Sequence, residues 1–187
     1  MEIHKTLDLI REKSPLVHNI TNYVVMNSTA NALLSVGASP VMAHSQHEVE
    51  DIVNISSSLV LNMGTLSKKW IGSMIMAGKK AKSIGKPVVF DPVGAGASNY
   101  RTKTAEKIIS QVKPDVIRGN ASEIMVLAQL STISKGVDST SETSEAIQGA
   151  KILSEKLDCT IVISGAVDCI VTGNTVNTIG NGSPLMS

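Results

Sequence analysis

The chain has few aromatic residues, few cysteines and no excess of charge of either sign. Phe, Trp and Tyr make up 2% of its 187 residues, so the core must be built from Val, Ile, Leu, Met and Ala. The two cysteines, Cys159 and Cys169, have neither metal-ligand spacing nor the density of a disulfide framework. This usage favours a reducing compartment, and we expect the cytoplasm.

Lysine and arginine (17) nearly balance aspartate and glutamate (16). A balanced chain has no broad basic field to hold a nucleic acid or an anionic membrane, so we expect neither as a partner. No apolar run reaches the roughly 18 to 20 residues that a membrane span needs. The amphipathic start, MEIHKTLDLIREKSP, is not a signal peptide. What is present, 42% hydrophobic and 18% charged residues, indicates one globular domain over residues 1–187.

Hydrophobic periodicity predicts strands that alternate with helices. One helix is well marked, because Ile71, Met74, Ile75, Gly78 and Ala81 recur at the spacing of a single buried face. The predicted helices elsewhere are 5–13, 23–36, 47–55, 102–112, one starting near 121, and 142–157. The predicted strands are 38–43, 57–64, 87–91, 115–120 and 160–165, followed by an antiparallel pair joined at Gly173. Residues 130–141 are predicted to be a long loop.

This alternation predicts an α/β fold with a mainly parallel central sheet covered by helices on both faces. Ligands of such sheets bind beyond the carboxyl ends of the strands. Four strand exits carry polar residues suited to chemistry, and they read HNITN, DPVGAG, RGNASE and SGAVD.

The exit DPVGAGAS places Asp91 at the end of a strand, where a carboxylate can hold Mg²⁺. Its glycines allow the backbone to approach a ligand closely. The alternative is a tight turn with Asp91 as a helix cap. The segment is not a dinucleotide-binding fingerprint, and the chain has no GxxxxGK[ST] phosphate loop.

The exit RGNASE offers the Arg118 guanidinium, which suits phosphate oxygens, and a second carboxylate at Glu123. In the structural alternative, Asn120 caps the next helix and Glu123 is its capping-box partner. Two carboxylates at neighbouring strand exits favour a site in which Mg²⁺ neutralises nucleotide phosphates.

The exit HNITN contains Asn19 and Thr21, which can orient a small polar ligand by hydrogen bonds. Alternatively, either of them caps the following helix. Met42 lies at another strand exit, where its thioether could touch an apolar or sulfur-containing ligand.

Taken together, five segments closely resemble the hydroxyethylthiazole kinases of thiamin salvage, from about Ser14 to the end of the chain. They are HNITNYVVMNSTANALLSVGASPVMAHS, LVLNMGTLS, PVVFDPVGAGAS, IRGNASEI and ISGAVD. The resemblance implies a ribokinase-like fold and a homotrimer with active sites between subunits. It also implies Mg-ATP-dependent phosphorylation of the hydroxyl group of 4-methyl-5-(2-hydroxyethyl)thiazole.

The resemblance also implies roles for individual residues. The thiazole-binding positions are Asn19, Thr21 and Met42, and the acidic magnesium positions are Asp91 and Glu123. The positions implied to bind the nucleotide are Arg118, Asn120, Ser164 and Gly165.

The chain departs from the family pattern in two places. Ala166 stands where the family often has a glutamate. The family's glycine-rich GTGC or GAGC segment, which forms an anion hole and carries a cysteine, is absent after NGSPLMS. We therefore expect a single ribokinase-like domain that lacks the family's C-terminal portion, contains no catalytic residue of that segment and has impaired turnover. The alternatives are a kinase for another small heterocyclic alcohol and a fragment that binds ligand without turnover.

Overall fold

The computed structural model describes residues 3–131 and 142–181. The chain divides into two compact units, residues 1–88 and 89–187. Helices and strands alternate along most of the described chain, as the sequence predicts. None of the helices in these ranges is long and apolar enough to cross a membrane. The expectation of a single domain over residues 1–187 stays a prediction.

The first unit contains three parallel strands and four helices among its described residues. Strand β1 pairs with β2 on one side and β3 on the other, so the carboxyl ends of all three lie at one edge. The elements are α1 (Ile3–Lys13), β1 (Leu16–Ile20), α2 (Met26–Val36), β2 (Ser39–Val41), α3 (Val49–Ile55), β3 (Ser58–Asn62) and α4 (Lys68–Ser83).

Helix α4 forms where the sequence predicts it and buries the predicted face. It begins after Ser67, whose hydroxyl oxygen accepts a hydrogen bond from the backbone N–H of Trp70. All five predicted face residues are buried, and they are Ile71, Met74, Ile75, Gly78 and Ala81. The prediction of an amphipathic helix packed on the core of this unit is therefore confirmed.

The second unit contains three parallel strands followed by an antiparallel pair. Strands β4, β5 and β6 are neighbours in that order and run parallel. Strand β7 pairs with β6 in the antiparallel direction, and β8 pairs with β7 in the same way. The elements are β4 (Val88–Asp91), α5 (Asn99–Val112), β5 (Val116–Asn120), α6 (Ala121–Ser131), α7 (Glu142–Leu157), β6 (Thr160–Ser164), β7 (Asp168–Thr172) and β8 (Thr175–Ile179). The mainly parallel α/β class and the closing antiparallel pair are confirmed.

The starts of α1, α2, α3 and α5 differ from the prediction by two or three residues, and side-chain hydrogen bonds account for the differences at α2 and α5. Helix α2 begins at Met26 instead of residue 23, because the side-chain Oδ1 atom of Asn22 accepts the backbone N–H groups of Val24 and Val25 in a preceding turn. Helix α5 begins three residues early, because the Ser98 hydroxyl oxygen caps it. The predicted loop 130–141 starts too early, since residues 130 and 131 belong to α6; the rest of it lies outside the described residues.

Candidate functional site

In the second unit, three predicted site residues end neighbouring strands. Asp91 is the last residue of β4, Asn120 of β5 and Ser164 of β6. Asn120 and Ser164 are also direct partners in the register of β5 and β6. Since parallel strands end at the same edge, the structure brings these predicted magnesium and nucleotide positions together.

Asp91 and Arg118 form an ion pair at this edge. The Arg118 Nη1 atom lies 3.6 Å from the Asp91 Oδ2 atom, and the side chains are 53% and 17% exposed, respectively. A long, partly exposed ion pair contributes only about 0 to 1 kcal/mol to folding. The guanidinium is therefore held near the carboxylate only weakly and can turn toward a phosphate oxygen without a large cost.

Glu123 connects the start of α6 to the loop that follows β4. Its Oε2 atom accepts the backbone N–H of Asn120 at 2.9 Å, while the Asn120 Oδ1 atom accepts the Glu123 N–H at 2.9 Å. This is the capping box that the sequence offers as the structural alternative. In addition, Glu123 Oε1 accepts the backbone N–H of Gly94 at 2.7 Å. The carboxylate therefore fixes the glycine loop as well as the helix.

The loop after β4 requires glycine at two positions. Gly94 and Gly96 have φ angles of 75° and 92°, which side chains rarely allow. A Cβ atom on Gly96 would also lie 2.9 Å from Val126 Cγ2. The Arg101 Nη1 atom donates to the Val93 carbonyl oxygen at 2.7 Å and holds the loop from outside. The glycines are therefore required by the backbone conformation of this loop. Their predicted role in letting a ligand approach the backbone closely stays a prediction.

The β6–β7 turn contains the predicted nucleotide residues Ser164 and Gly165. The Gly165 N–H donates to Asp168 Oδ1 at 2.9 Å, which closes the turn. The Ser164 hydroxyl donates to the Gly119 carbonyl oxygen over a long 3.3 Å. Since that bond is weak, the hydroxyl can exchange it for a ligand oxygen.

The acidic residues fit a magnesium ion of the kind that nucleotide phosphates bring with them. No group of three or more His, Cys, Asp or Glu side chains within residues 3–131 and 142–181 is arranged to hold a metal alone. Mg²⁺ is usually bound by one or two carboxylates together with waters and phosphate oxygens. Asp91 and Glu123 would supply the carboxylates, because each Glu123 oxygen keeps a lone pair beyond its bond to a backbone N–H.

In the first unit, the predicted thiazole residues lie at the carboxyl ends of β1 and β2. Asn19 and Thr21 are buried, and Asn19 Nδ2 donates to the Val17 carbonyl oxygen at 2.9 Å. Met42 follows β2 and is half-buried. The alternative in which Asn19 or Thr21 caps α2 is wrong, because the residue at the cap position is Val25 and no side chain among the described residues bonds there. Contact of all three predicted residues with a ligand stays a prediction.

A buried pair of asparagines joins the exits of β1 and β3. Asn22 Nδ2 donates to Asn62 Oδ1 at 2.8 Å, and the Gly64 N–H donates to the same oxygen at 3.0 Å. A Cβ atom on Gly64 would lie 2.4 Å from Asn22 Nδ2, so the pair needs glycine there. Asn62 was not predicted as a site residue, although the polar exit LNMG after a buried strand is a signal for it.

Three rings pack against one another in tilted arrangements near these exits. Trp70, the single tryptophan of the chain, lies 5.0 Å from Tyr23 and 4.6 Å from His44 between ring centroids. The three positions are distant in sequence and follow no periodic pattern, so nothing in the sequence indicates the cluster. It makes Trp70 a natural fluorescence reporter for this part of the protein.

His18 is fully buried in β1. Its Nε2–H donates to the Ala43 carbonyl oxygen at 2.7 Å, while its buried Nδ1 atom has no hydrogen-bond partner among the described residues. Burial lowers the pKa of His18 below 6.5, although the bond to Ala43 and the field of Glu48 act in the opposite direction. We conclude that the ring is neutral with its proton on Nε2.

This ionisation should appear in the pH dependence of stability. The unfolded chain takes up the His18 proton as the pH falls through 6.5, while the folded chain resists it. Protons therefore favour the unfolded state, and the stability supported by neutral His18 is lost with acidification. Melting temperatures between about pH 7.5 and about pH 5.5 should fall more steeply for the natural chain than for His18→Gln. Parallel curves would contradict this prediction.

Comparison with solved structures first defines the class of protein. An adenosine kinase from Trypanosoma brucei brucei superimposes with a TM-score of 0.59 over 94% of this chain and 64% of its own, at 10% identity. Identity this low shows the fold alone. The fold is that of the ribokinase-like α/β kinases, as the resemblance implied.

The family is shown by closer matches. The family model described as the hydroxyethylthiazole kinase family matches residues 7–187. A hydroxyethylthiazole kinase from Leptospira biflexa serovar Patoc is 54% identical, covering 97% of this chain and 68% of its own length. The structure of the hydroxyethylthiazole kinase protein from Pyrococcus horikoshii OT3 has a TM-score of 0.88 at 41% identity, with coverage of 97% and 68%. The chain belongs to the hydroxyethylthiazole kinase family and spans about two thirds of these relatives.

Proposed function

We propose that the protein transfers a phosphoryl group from ATP to the hydroxyl group of 4-methyl-5-(2-hydroxyethyl)thiazole, a reaction of thiamin salvage. The proposal rests mainly on the 54% identity to a hydroxyethylthiazole kinase over nearly the whole chain. The polar strand exits support it, since they supply the charges that phosphoryl transfer requires. Formation of thiazole phosphate from ATP and the thiazole alcohol is the direct test.

Nucleotide and magnesium are assigned to the exits of β4, β5 and β6. Asp91 and Glu123 would hold Mg²⁺, which when bound neutralises charge on the nucleotide phosphates. Arg118 is placed to contact a phosphate oxygen, and its weak ion pair with Asp91 keeps the guanidinium nearby until the nucleotide arrives. We assign the remaining nucleotide contacts to Asn120, Ser164 and Gly165, which lie at the ends of β5 and β6.

The thiazole ring is assigned to the exits of the first unit. Half-buried Met42 offers a polarizable thioether to a sulfur-containing ring. Asn19 and Thr21 are the predicted polar contacts, and the structure adds the Asn22–Asn62 pair as a rigid source of amide groups. An apolar contact with a few fixed polar groups suits a small heterocycle.

Met42→Ala should weaken binding of the thiazole alcohol about tenfold, because it removes most of an apolar contact, and it should leave ATP binding unchanged. Isothermal titration calorimetry with each ligand measures both affinities. Met76→Ala is the matched control, since Met76 is also half-buried in the first unit but lies on α4. Equal weakening of both ligands by Met42→Ala would contradict this division of the site.

A homotrimer is supported by exposed apolar surface in the first unit. No residue of α2, all of which the structure describes, is buried. Leu34 in this helix is 58% exposed, and Val24 just before it is 87% exposed. Exposed apolar side chains of this kind are common in subunit interfaces. We also propose the cytoplasm as the compartment, because Cys159 and Cys169 are both buried and neither forms a disulfide within the described residues.

A further inference from the structure

His18 fixes the backbone on both sides of Met42. In the register of β1 and β2, His18 is the direct partner of Val41, the residue before Met42. The His18 side chain then reaches past Met42 and donates from Nε2 to the carbonyl oxygen of Ala43, the residue after it, at 2.7 Å. Met42 is therefore held between two residues that the same histidine locates.

A second buried side chain holds the next peptide of this loop. The Ser73 hydroxyl in α4 donates to the His44 carbonyl oxygen at 2.6 Å. The His44 ring in turn lies 4.6 Å from Trp70. Two consecutive carbonyl groups after Met42 are thus bound by buried donors, so the loop has little freedom to move the Met42 side chain.

The bond from His18 Nε2 to the Ala43 carbonyl oxygen is the hydrogen bond that the buried ring makes within the described residues. The ring is fully buried, and Nδ1 has no partner among the described residues. A buried polar atom without a partner destabilises the folded state, and an apolar residue at this position would avoid that cost. The Ala43 bond is the contact that an apolar residue could not make.

We propose that His18 is a positioning residue of the thiazole site, which sets where the Met42 thioether meets the heterocycle. The inference rests on the proposed function, in which Met42 contacts the thiazole. It extends that function, because His18 would influence which heterocycle binds without touching the substrate itself.

Three variants of His18 separate the donor from the bulk of the ring. His18→Leu fills the space without a donor, His18→Gln keeps an N–H at about the reach of Nε2, and His18→Asn places the same amide one methylene short. Calorimetric titration with the thiazole alcohol should show about tenfold weaker binding for the Leu and Asn variants, the effect of one lost hydrogen bond. The Gln variant should bind within about twofold of the natural chain, and ATP affinity should be unchanged in all three.

A double-mutant cycle with Met42→Ala tests whether His18 acts through Met42. If it does, His18→Leu should weaken thiazole binding far less in the Met42→Ala background than alone. Fully additive effects would overturn the inference. If the Leu variant does not fold, the comparison of Gln with Asn gives the same test, and equal affinities in that pair would overturn it.

The same titrations distinguish this inference from the proposed function. A natural chain that binds ATP but not the thiazole alcohol would contradict the proposed substrate. A natural chain that binds the thiazole with the same affinity as His18→Leu would leave the proposed function standing and refute the role of His18.

Discussion

Asp91→Asn is expected to lower Mg²⁺-dependent formation of thiazole phosphate by on the order of a hundredfold or more. The substitution keeps the size of the side chain but removes the negative charge at the end of β4 that would hold the metal. It also removes the partner of the Arg118 guanidinium at 3.6 Å. Binding of the thiazole alcohol should stay close to that of the natural chain, because its proposed contacts lie in the first unit.

Turnover at several Mg²⁺ concentrations, together with thiazole calorimetry, measures both quantities. The matched control is Asp158→Asn, an exposed residue just before the amino end of β6, with a φ angle of 50° that asparagine tolerates. It should have no effect on turnover. An equal loss of turnover in both variants, or an undiminished rate in Asp91→Asn, would show that Asp91 is not a magnesium ligand.

Glu123→Ala is expected to lower both stability and turnover, because the same carboxylate bonds to the backbone and is a proposed magnesium ligand. It accepts the N–H groups of Asn120 and Gly94, and losing both bonds should cost about 1 to 3 kcal/mol of unfolding free energy. The variant also loses a proposed magnesium ligand, so turnover should fall on the order of a hundredfold.

Glu123→Gln separates the structural role of this side chain from its proposed role in binding magnesium. Glutamine is accepted in capping boxes, so urea unfolding should show that most of the lost stability returns. Turnover should stay low, because the amide carries no charge for the metal. Glu106→Gln, on the exposed side of α5, serves as the control for loss of a negative charge. A Gln variant as active as the natural chain would show that Glu123 is structural only.

The order of strands and helices could be predicted because burial is encoded locally. In α4 the apolar residues recur on one face, and the structure buries that face completely. Several strand exits could be predicted for the same reason, since their buried runs end at a polar residue such as Asp91 or Asn120. Parallel pairing then brings those exits to one edge without any further information.

Contacts between distant segments could not be predicted in this way. The Gly94 N–H and the Glu123 carboxylate are 29 residues apart, and only the path of the loop after β4 brings them together. The bond from His18 to Ala43 depends similarly on the register of β1 and β2. The start of α2 was misplaced because a turn held by Asn22 Oδ1 precedes the helix, and the start of α5 because its cap, Ser98, was not predicted.

Phosphorylation of the thiazole alcohol by the 187-residue chain with ATP and Mg²⁺ is the direct test of the proposed kinase activity. Product can be followed by mass spectrometry, beside a pyrimidine alcohol as competing acceptor and Asp91→Asn as control. We expect thiazole phosphate to accumulate above the enzyme-free background, to disappear when Mg²⁺ is chelated and to fall sharply in Asp91→Asn. Phosphorylation of the pyrimidine alcohol with none of the thiazole, or no thiazole phosphate at all, would contradict it.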